Sequence, residues 1–266
     1  MTRPADISPA QSLPVSSRRT TRFECKYLLT PSERIRIERE LAHFMPLDVH
    51  CEGEPERSYV VHSLYFDDHL LTYFRQKQAG LPYRSKYRLR TYGNTRLFSA
   101  PYFLEEKGRC KDSVYKVRMR LPYIETSEAR STSPRRVVER LLALVQGTDM
   151  QDAFSHAVFS GQIRPALGIT FRRRAYANPI NSDFRVTFDD DIEAVLTQSL
   201  PMPESALRRR LLPGCSILEA KFAAGMPAWF LRFVRRFDLR RRSFSKIYVG
   251  VKAFTPARVQ DRMRCP

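Results

Sequence analysis

Cysteine is scarce in this chain and unpaired in pattern. The five residues, Cys25, Cys51, Cys110, Cys215 and Cys265, are odd in number and show no CxxC spacing. That excludes a cysteine-pair zinc site and reads as reduced thiols in a cytosolic protein. The five histidines stand without ligand spacing and add no metal site. A run of about 18 apolar residues is missing, so no segment is expected to span a bilayer as a helix. The opening residues hold Asp6 and three prolines by Pro14 and no apolar stretch, and are not read as a secretory signal. Also absent are a Gly-rich phosphate loop, a G-x-S-x-G elbow and an H-E-x-x-H motif. Acidic residues are few: 28 Asp and Glu stand against 46 Lys and Arg, a net charge of +18. Such an excess implies a polyanionic partner, whether nucleic acid, an acidic membrane surface or a phosphate-rich small molecule.

The chain is otherwise well supplied. Its 266 residues are 42% hydrophobic and 11% aromatic, enough for a sizeable core. The Pro/Ser/Ala-rich residues 1–20 read as a disordered tail, residues 21–255 as the folded domain and residues 256–266 as a second tail. At 83–93 the sequence is YRSKYRLRTYG. Arg84, Lys86, Arg88 and Arg90 fall at every second position, with Tyr83, Tyr87 and Leu89 between them. Alternation of period 2 predicts a strand with all four cations on one face. That face is either a solvated outer surface or the wall of a site that holds an anion.

Similar reasoning places the other elements. Residues 22–29 make a strand, and Thr30, Pro31 and Glu33 open a helix as N-cap, N1 and N3. A polar loop with Gly53 and Pro55 leads to a strand at 59–66. Asp67 and Asp68 cap a short helix reaching Gln78. Residues 102–110 and 114–121 form a hairpin around Lys111 and Asp112, with Gly108 expected at a turn or bulge. A polar segment at 125–133 precedes helices at 134–146 and 149–159. Strands follow at 166–176 and 184–196, turned at Asn178-Pro179. Arg208 to Arg210 fall in a loop. A strand at 216–222, a helix at 227–237 and a last strand at 244–254 complete the chain. Eight or nine hairpin-linked strands with inserted helices predict an α+β fold. Its centre is a closed antiparallel eight-stranded β-barrel with helices packed outside, because closure removes sheet edges.

Three strands carry the same triplet: Glu24-Cys25-Lys26, Glu105-Glu106-Lys107 and Glu219-Ala220-Lys221. Period 2 aims each Glu and its Lys to one side. Lys116, Arg118, Arg120 and Arg185 take same-face positions on their own strands. Turned inward, these residues make a cationic lumen with a few embedded carboxylates. Arg and Lys hold phosphate oxygens, and carboxylates give a divalent ion the hard oxygens it prefers. The alternative for each Glu is to pair with a neighbouring cation. Asp189 to Asp191 could bind metal or end a strand. The Arg172 to Arg174 and Arg240 to Arg242 runs cannot all face inward.

At these positions the sequence resembles a known family. The motifs are RxExKY at 22–27, SLYFD at 63–67, KYRLRTYG at 86–93, LEEK at 104–107, YKVR at 115–118, FRRRAY at 171–176, FRVTFDDDI at 184–192, ILEAKF at 217–222 and FSKIYVGV at 244–251. In order, they are similar to the VTC domain, the polyphosphate polymerase branch of the triphosphate tunnel metalloenzymes (CYTH-like). The resemblance implies a tunnel barrel that binds ATP with Mn or Mg and grows a polyphosphate chain. It implies that Lys26, Arg88, Arg90, Lys107, Lys116, Arg173, Arg185 and Lys246 bind phosphates. Of these, Lys26, Arg88, Arg90 and Lys107 would grip the ATP phosphates. It also implies that Glu219 holds the metal, with Glu24 and Glu105 as further carboxylates. Two positions depart from the family pattern: Arg22 replaces a first Glu, and Ser243 stands where a second basic residue is common.

The expected function is therefore a cytoplasmic, metal-dependent polyphosphate polymerase that transfers the γ-phosphoryl of ATP to a phosphate chain. Positioning and charge neutralisation supply most of the catalysis in phosphoryl transfer, and the acceptor oxygen is already anionic. Rival readings are a tunnel triphosphatase and a non-catalytic polyphosphate- or inositol-phosphate-binding module. No nucleic-acid partner is expected, because Tyr83, Tyr87 and Tyr115 lie opposite the cations rather than beside them.

Overall fold

Thr30 ends the first strand and starts the first helix. Its hydroxyl accepts from the Glu33 amide at 3.4 Å, and the Glu33 carboxylate accepts from the Thr30 amide at 2.8 Å. This capping box, with Pro31 at N1, divides β1 (Arg18–Leu29) from α1 (Pro31–Leu41). The computed structural model describes residues 18–54, 56–93, 100–111, 113–121, 133–177 and 183–255. Residues 1–17 and 256–266, Pro55, Asp112, the segment 122–132 and the expected Asn178-Pro179 turn lie outside the described residues.

A four-residue helix not foreseen in the sequence, α2 (Val49–Glu52), follows α1, with Asp48 as its N-cap. Then come β2 (Tyr59–Asp67), α3 (Thr72–Gln78) and β3 (Tyr83–Tyr92). The α3 amides are capped as the sequence predicts. Asp68 accepts from the Thr72 amide at 2.9 Å, and Asp67 accepts from the amides of Tyr73 and Phe74 at 2.9 and 3.1 Å. Next in the chain are β4 (Phe103–Cys110), β5 (Ser113–Arg120), α4 (Pro134–Val145) and α5 (Gln151–Phe159). The remaining elements are β6 (Arg164–Ala177), β7 (Phe184–Val195), β8 (Arg208–Arg210), β9 (Ser216–Phe222), α6 (Ala228–Arg236) and α7 (Lys246–Phe254).

Eight antiparallel strands close on themselves in the order β6-β2-β3-β4-β5-β1-β9-β7, because β7 pairs back onto β6. The fold is the expected α+β barrel. The Arg208 to Arg210 run, expected as loop, is instead β8, a ninth strand paired only with the end of β7. Helices cover the wall in two places. Tyr87 and Leu89, the outward residues of β3, pack with Leu141, Val145 and Phe154 of α4 and α5. Cys25, Tyr27 and Leu29 of β1 pack with Ile37 and Leu41 of α1 and Phe230 and Phe233 of α6.

Two further sequence expectations are corrected. Gly108 is neither a turn nor a bulge: it pairs with Ser85 on one side and Tyr115 on the other, within continuous strands. A Cβ there would fall 2.0 Å from Cζ of Tyr115, so the glycine leaves room for a ring that lies across the strand. The last element is a helix and not a strand. The barrel is already closed when the chain reaches residue 244, and the residues just before, Arg241 and Arg242, take the open edge of β1 beside Tyr27 and Lys26. The apolar residues of the KIYVGVKAF segment find burial as α7 instead, beside Leu167 and Ile169 of β6 and Ala194 of β7. A Cβ on Gly250 would meet Ile169 Cδ1 at 2.8 Å, so glycine permits this close approach. Leu167 and Ile169 share the period-2 face of Phe171 and Arg173, which line the central cavity. Helix α7 therefore lies on the lumen side of β6 and β7.

Candidate functional site

The lumen is a cavity of about 480 Å³ walled by cations from eight elements or loops. β3 contributes Arg84, Lys86, Arg88 and Arg90, so the basic strand faces inward as one of its two sequence readings requires. Lys26 of β1, Lys107 of β4, Arg173 of β6, Lys221 of β9 and Lys246 of α7 join them. Arg241 and Arg242 stand on the segment before α7, with Lys77 of α3 close by. Arg runs divide as geometry demands. Arg173 points in, while Arg172 pairs with Glu56, Arg174 with Glu38 and Arg240 with Asp238.

Each embedded carboxylate sits among cations. Glu105 is 1% exposed and meets Arg88 at 2.6 Å, with Arg118, Arg90 and Lys116 at 3.4 to 3.9 Å. Burial pushes its carboxyl up, but these four cations outweigh burial and hold it well below the usual carboxylate range. Asp189 accepts two bonds from Arg173, at 2.6 and 2.8 Å, and one from Lys246 at 2.5 Å. Burial again opposes ionisation, and again the cations win, bringing Asp189 to about 2. Asp190 faces away to Arg34 and Ser216, and Asp191 is exposed, so the three aspartates form no cluster.

Glu24 and Glu219 are arranged differently. In the β1–β9 register Lys26 opposes Glu219 and Lys221 opposes Glu24, which crosses the two triplets. The carboxyl groups of Glu24 and Glu219 lie within hydrogen-bonding reach of each other. Lys26 is bonded to Glu24, Lys107 meets Glu24 at 2.7 Å, and Lys221 meets Glu219 at 3.0 Å. Both carboxyls are lowered by these lysines against the cost of burial. Burial lowers the Lys221 ammonium to about 8, while Glu24 and Glu219 together raise Lys26.

Of the eight phosphate-binding residues inferred from sequence, the structure brings Lys26, Arg88, Arg90, Lys107, Arg173 and Lys246 to one cavity. Lys116 and Arg185 do not line it. Lys116 lies across from Lys107 in the β4–β5 register, and Arg185 is held by Asp48 at 3.1 Å and the Tyr59 hydroxyl at 3.3 Å. The sequence reading turned Lys86 and Lys221 into the lumen without naming them as phosphate-binding, and it left out Tyr65, Lys77 and the Arg241-Arg242 pair, all of which line the cavity. Lys86 and Lys221 carried a signal, as same-face partners of chosen residues. Tyr65 carried only its period-2 position in SLYFD, and Arg241 lies outside any strand.

The fold has known counterparts. One crystal structure, of a putative adenylate cyclase from Bacillus halodurans, matches with a TM-score of 0.50 and 12% identity. The match covers 85% of this chain and 95% of that one, and it shows the same fold. A chain of the Schizosaccharomyces pombe Mediator head module matches with a TM-score of 0.40 and 8% identity, over 89% of this chain and 97% of that one. No protein of curated function matches the sequence. The VTC domain family, in contrast, matches residues 21–255, the barrel and all its helices. This chain belongs to the VTC domain family, and its barrel is a triphosphate tunnel domain.

Proposed function

We propose that this domain is a metal-dependent polyphosphate polymerase, transferring the γ-phosphoryl of ATP to the end of a phosphate chain held in the lumen. The observation that carries the reading is the gathering of Lys26, Arg88, Arg90, Lys107, Arg173 and Lys246 around one cavity. A triphosphate is the chemical complement of such a wall. Arginines hold its oxygens bidentately and lysines neutralise them as point charges. Lys116, Arg118 and Arg185 continue the basic track on inward positions of β5 and β7, where a chain longer than a triphosphate would find contacts.

Glu24 and Glu219 fit a Mn or Mg ion. They are two adjacent carboxyl groups on the cavity wall, held low by Lys26, Lys107 and Lys221, and phosphate oxygens and water would complete a hard coordination shell. Such an ion, when bound, offsets phosphate charge. Glu105 and Asp189 are engaged by arginine and suit a role in holding Arg88 and Arg173 in place. A nucleic-acid partner is disfavoured by the aromatic faces. Lys246 lies 4.6 Å over the Phe171 ring and Arg88 5.8 Å over that of Tyr65, leaving these rings to cations rather than bases.

Hydrolysis of a triphosphate is the second reading, favoured by α7. The helix occupies the lumen side of β6 and β7, which suits a short substrate better than a threaded chain. One experiment separates the two. The purified chain, given ATP and Mn, is assayed together for acid-labile polymer, ADP and free phosphate. Polymer matching ADP is expected; free phosphate matching ADP, with no polymer under any metal, overturns the polymerase in favour of the hydrolase.

A further inference from the structure

The cavity holds a nucleophile that charge neutralisation alone does not use. Tyr65 sits on β2 opposite Arg88 of β3, and its ring lines the lumen. Arg88 Nη1 donates to its phenolic oxygen at 3.0 Å, and the Lys86 ammonium lies 5.8 Å from the ring centroid. We propose that the Tyr65 phenolate oxygen is a phosphoryl acceptor, taking the terminal phosphoryl group of a bound triphosphate and anchoring the first phosphate on the protein itself.

The surroundings of Tyr65 are mainly basic and aromatic. β3 presents Lys86, Arg88 and Arg90, α3 presents Tyr73 and Lys77, and α7 presents Tyr248. Two acids are close by: Asp67, two residues on along β2, is turned to the α3 amides, which occupy its oxygens, and Glu105 of β4 meets the Arg88 guanidinium at 2.6 Å beside the nitrogen that donates to Tyr65. Burial pushes the Tyr65 phenol up, but Arg88, Lys86 and Arg90 outweigh burial and bring it down to about 7. The phenolate is thus well populated at neutral pH, which is how enzymes activate an oxygen nucleophile without a separate base. Three other hydroxyls on the wall are placed differently. Ser243 and Ser245 are engaged by Lys77 and Lys86, and the Tyr73 phenol is pushed up by burial and by Asp67.

The step balances without a further reactant. The phenolate electron pair forms the new O–P bond while the bond between the γ-phosphorus and its bridging oxygen breaks. The bridging oxygen leaves with that electron pair as part of ADP, or of pyrophosphate when the donor is inorganic tripolyphosphate. No proton moves, and the product aryl phosphate ends in anionic oxygens that can accept the next phosphoryl group. The proposal rests on the phosphotransfer reading above, but its test is separable from it.

The full chain is incubated with Mn and either ATP or tripolyphosphate, then denatured and digested with trypsin. Residues 58–75 lie between Arg57 and Arg75 and are released as one peptide. The expected result is one added phosphoryl group on Tyr65, rather than on Tyr59 or Tyr73, and its loss in Tyr65→Phe. In ultraviolet absorbance, the wild type should show a tyrosinate transition centred near 7 that Tyr65→Phe lacks. No phosphate on Tyr65 with either donor overturns the proposal, whether or not polymer forms in solution. Polymer without that modification removes the acceptor and leaves the polymerase standing. Phosphotyrosine without polymer supports the acceptor and removes the polymerase. A wild type without the tyrosinate transition also overturns it.

Discussion

Lys246, the first residue of α7, reaches Asp189 of β7 at 2.5 Å inside the lumen. Asp189 is simultaneously gripped by Arg173, so one buried carboxylate ties the terminal helix to the phosphate-facing wall. Lys246→Met should leave the Arg173–Asp189 pair intact while removing one cation and the α7 tether. Tripolyphosphate affinity, by calorimetry, should fall by roughly ten- to a hundredfold, the worth of a charge-assisted contact of about 1.5–3 kcal/mol. Unchanged affinity would place Lys246 outside the anion site.

Glu219→Gln keeps the size of the side chain and removes one of the two adjacent carboxylates. Mn binding, followed by titration of the purified domain, should weaken at least tenfold, and turnover should no longer respond to added metal. Because Glu219 also offsets Lys221 and Arg173, the variant should melt lower than wild type. Wild-type Mn affinity in the variant would remove Glu219 from the metal site.

Glu105→Gln addresses stability. Its loss leaves Arg88 and Arg90 buried without their anion, and breaking a buried pair on one side costs about 3–5 kcal/mol. For a chain of this size, that corresponds to a drop in Tm on the order of 10 °C. The sign with pH follows from its folded carboxyl lying below its unfolded value. The stabilisation is present above about pH 4.3, the unfolded value, and is lost as pH falls toward the folded value. Wild type should therefore lose stability in acid more steeply than Glu105→Gln. Parallel acid profiles would show that the Glu105 carboxyl is not lowered in the fold.

Anion binding should weaken early as pH rises. Burial lowers the ammonium groups of Lys86 and Lys116 to about 8, each with neighbouring cations contributing. The protonated lysines attract phosphate and the Tyr65 phenolate repels it, so tripolyphosphate affinity should decline from about pH 7 through pH 8. An ordinary lysine would hold its charge to about 10. Binding should take up protons when measured near pH 8 in two buffers of different ionisation enthalpy. A profile flat to pH 9 would exclude both lysines. The affinity should also fall steeply with salt, as polyanion binding does.

How much of this was legible in the sequence varies by element. Strand period alone put Arg84, Lys86, Arg88 and Arg90 on one face, and Thr30 with Glu33 marked the first helix start, because alternation and capping are local properties of the backbone. Asp67 and Asp68 were legible as caps for the same reason. The E-x-K triplets identified three inward strand positions. They did not disclose that β1 and β9 cross their triplets, which brings Glu24 to Glu219, because register is set by pairing across the sheet.

Local pattern failed where a distant partner decided the outcome. The run at 244–254 is rich in residues that favour strands, yet it forms α7, because its apolar side chains are buried against Leu167, Ile169 and Ala194 within the closed barrel. Gly108 looked like a turn, but the Tyr115 ring of the neighbouring strand is what requires it. A basic, strand-rich chain with its cations aligned is readable before any fold is known, since charge and periodicity are written residue by residue. Tertiary structure alone decided which face became the lumen, that Glu105 and Asp189 are clamped by arginine while Glu24 and Glu219 stand together, and that Tyr65 lies under Arg88. Each of these is a distance between strands remote in sequence, fixed only when the barrel closes.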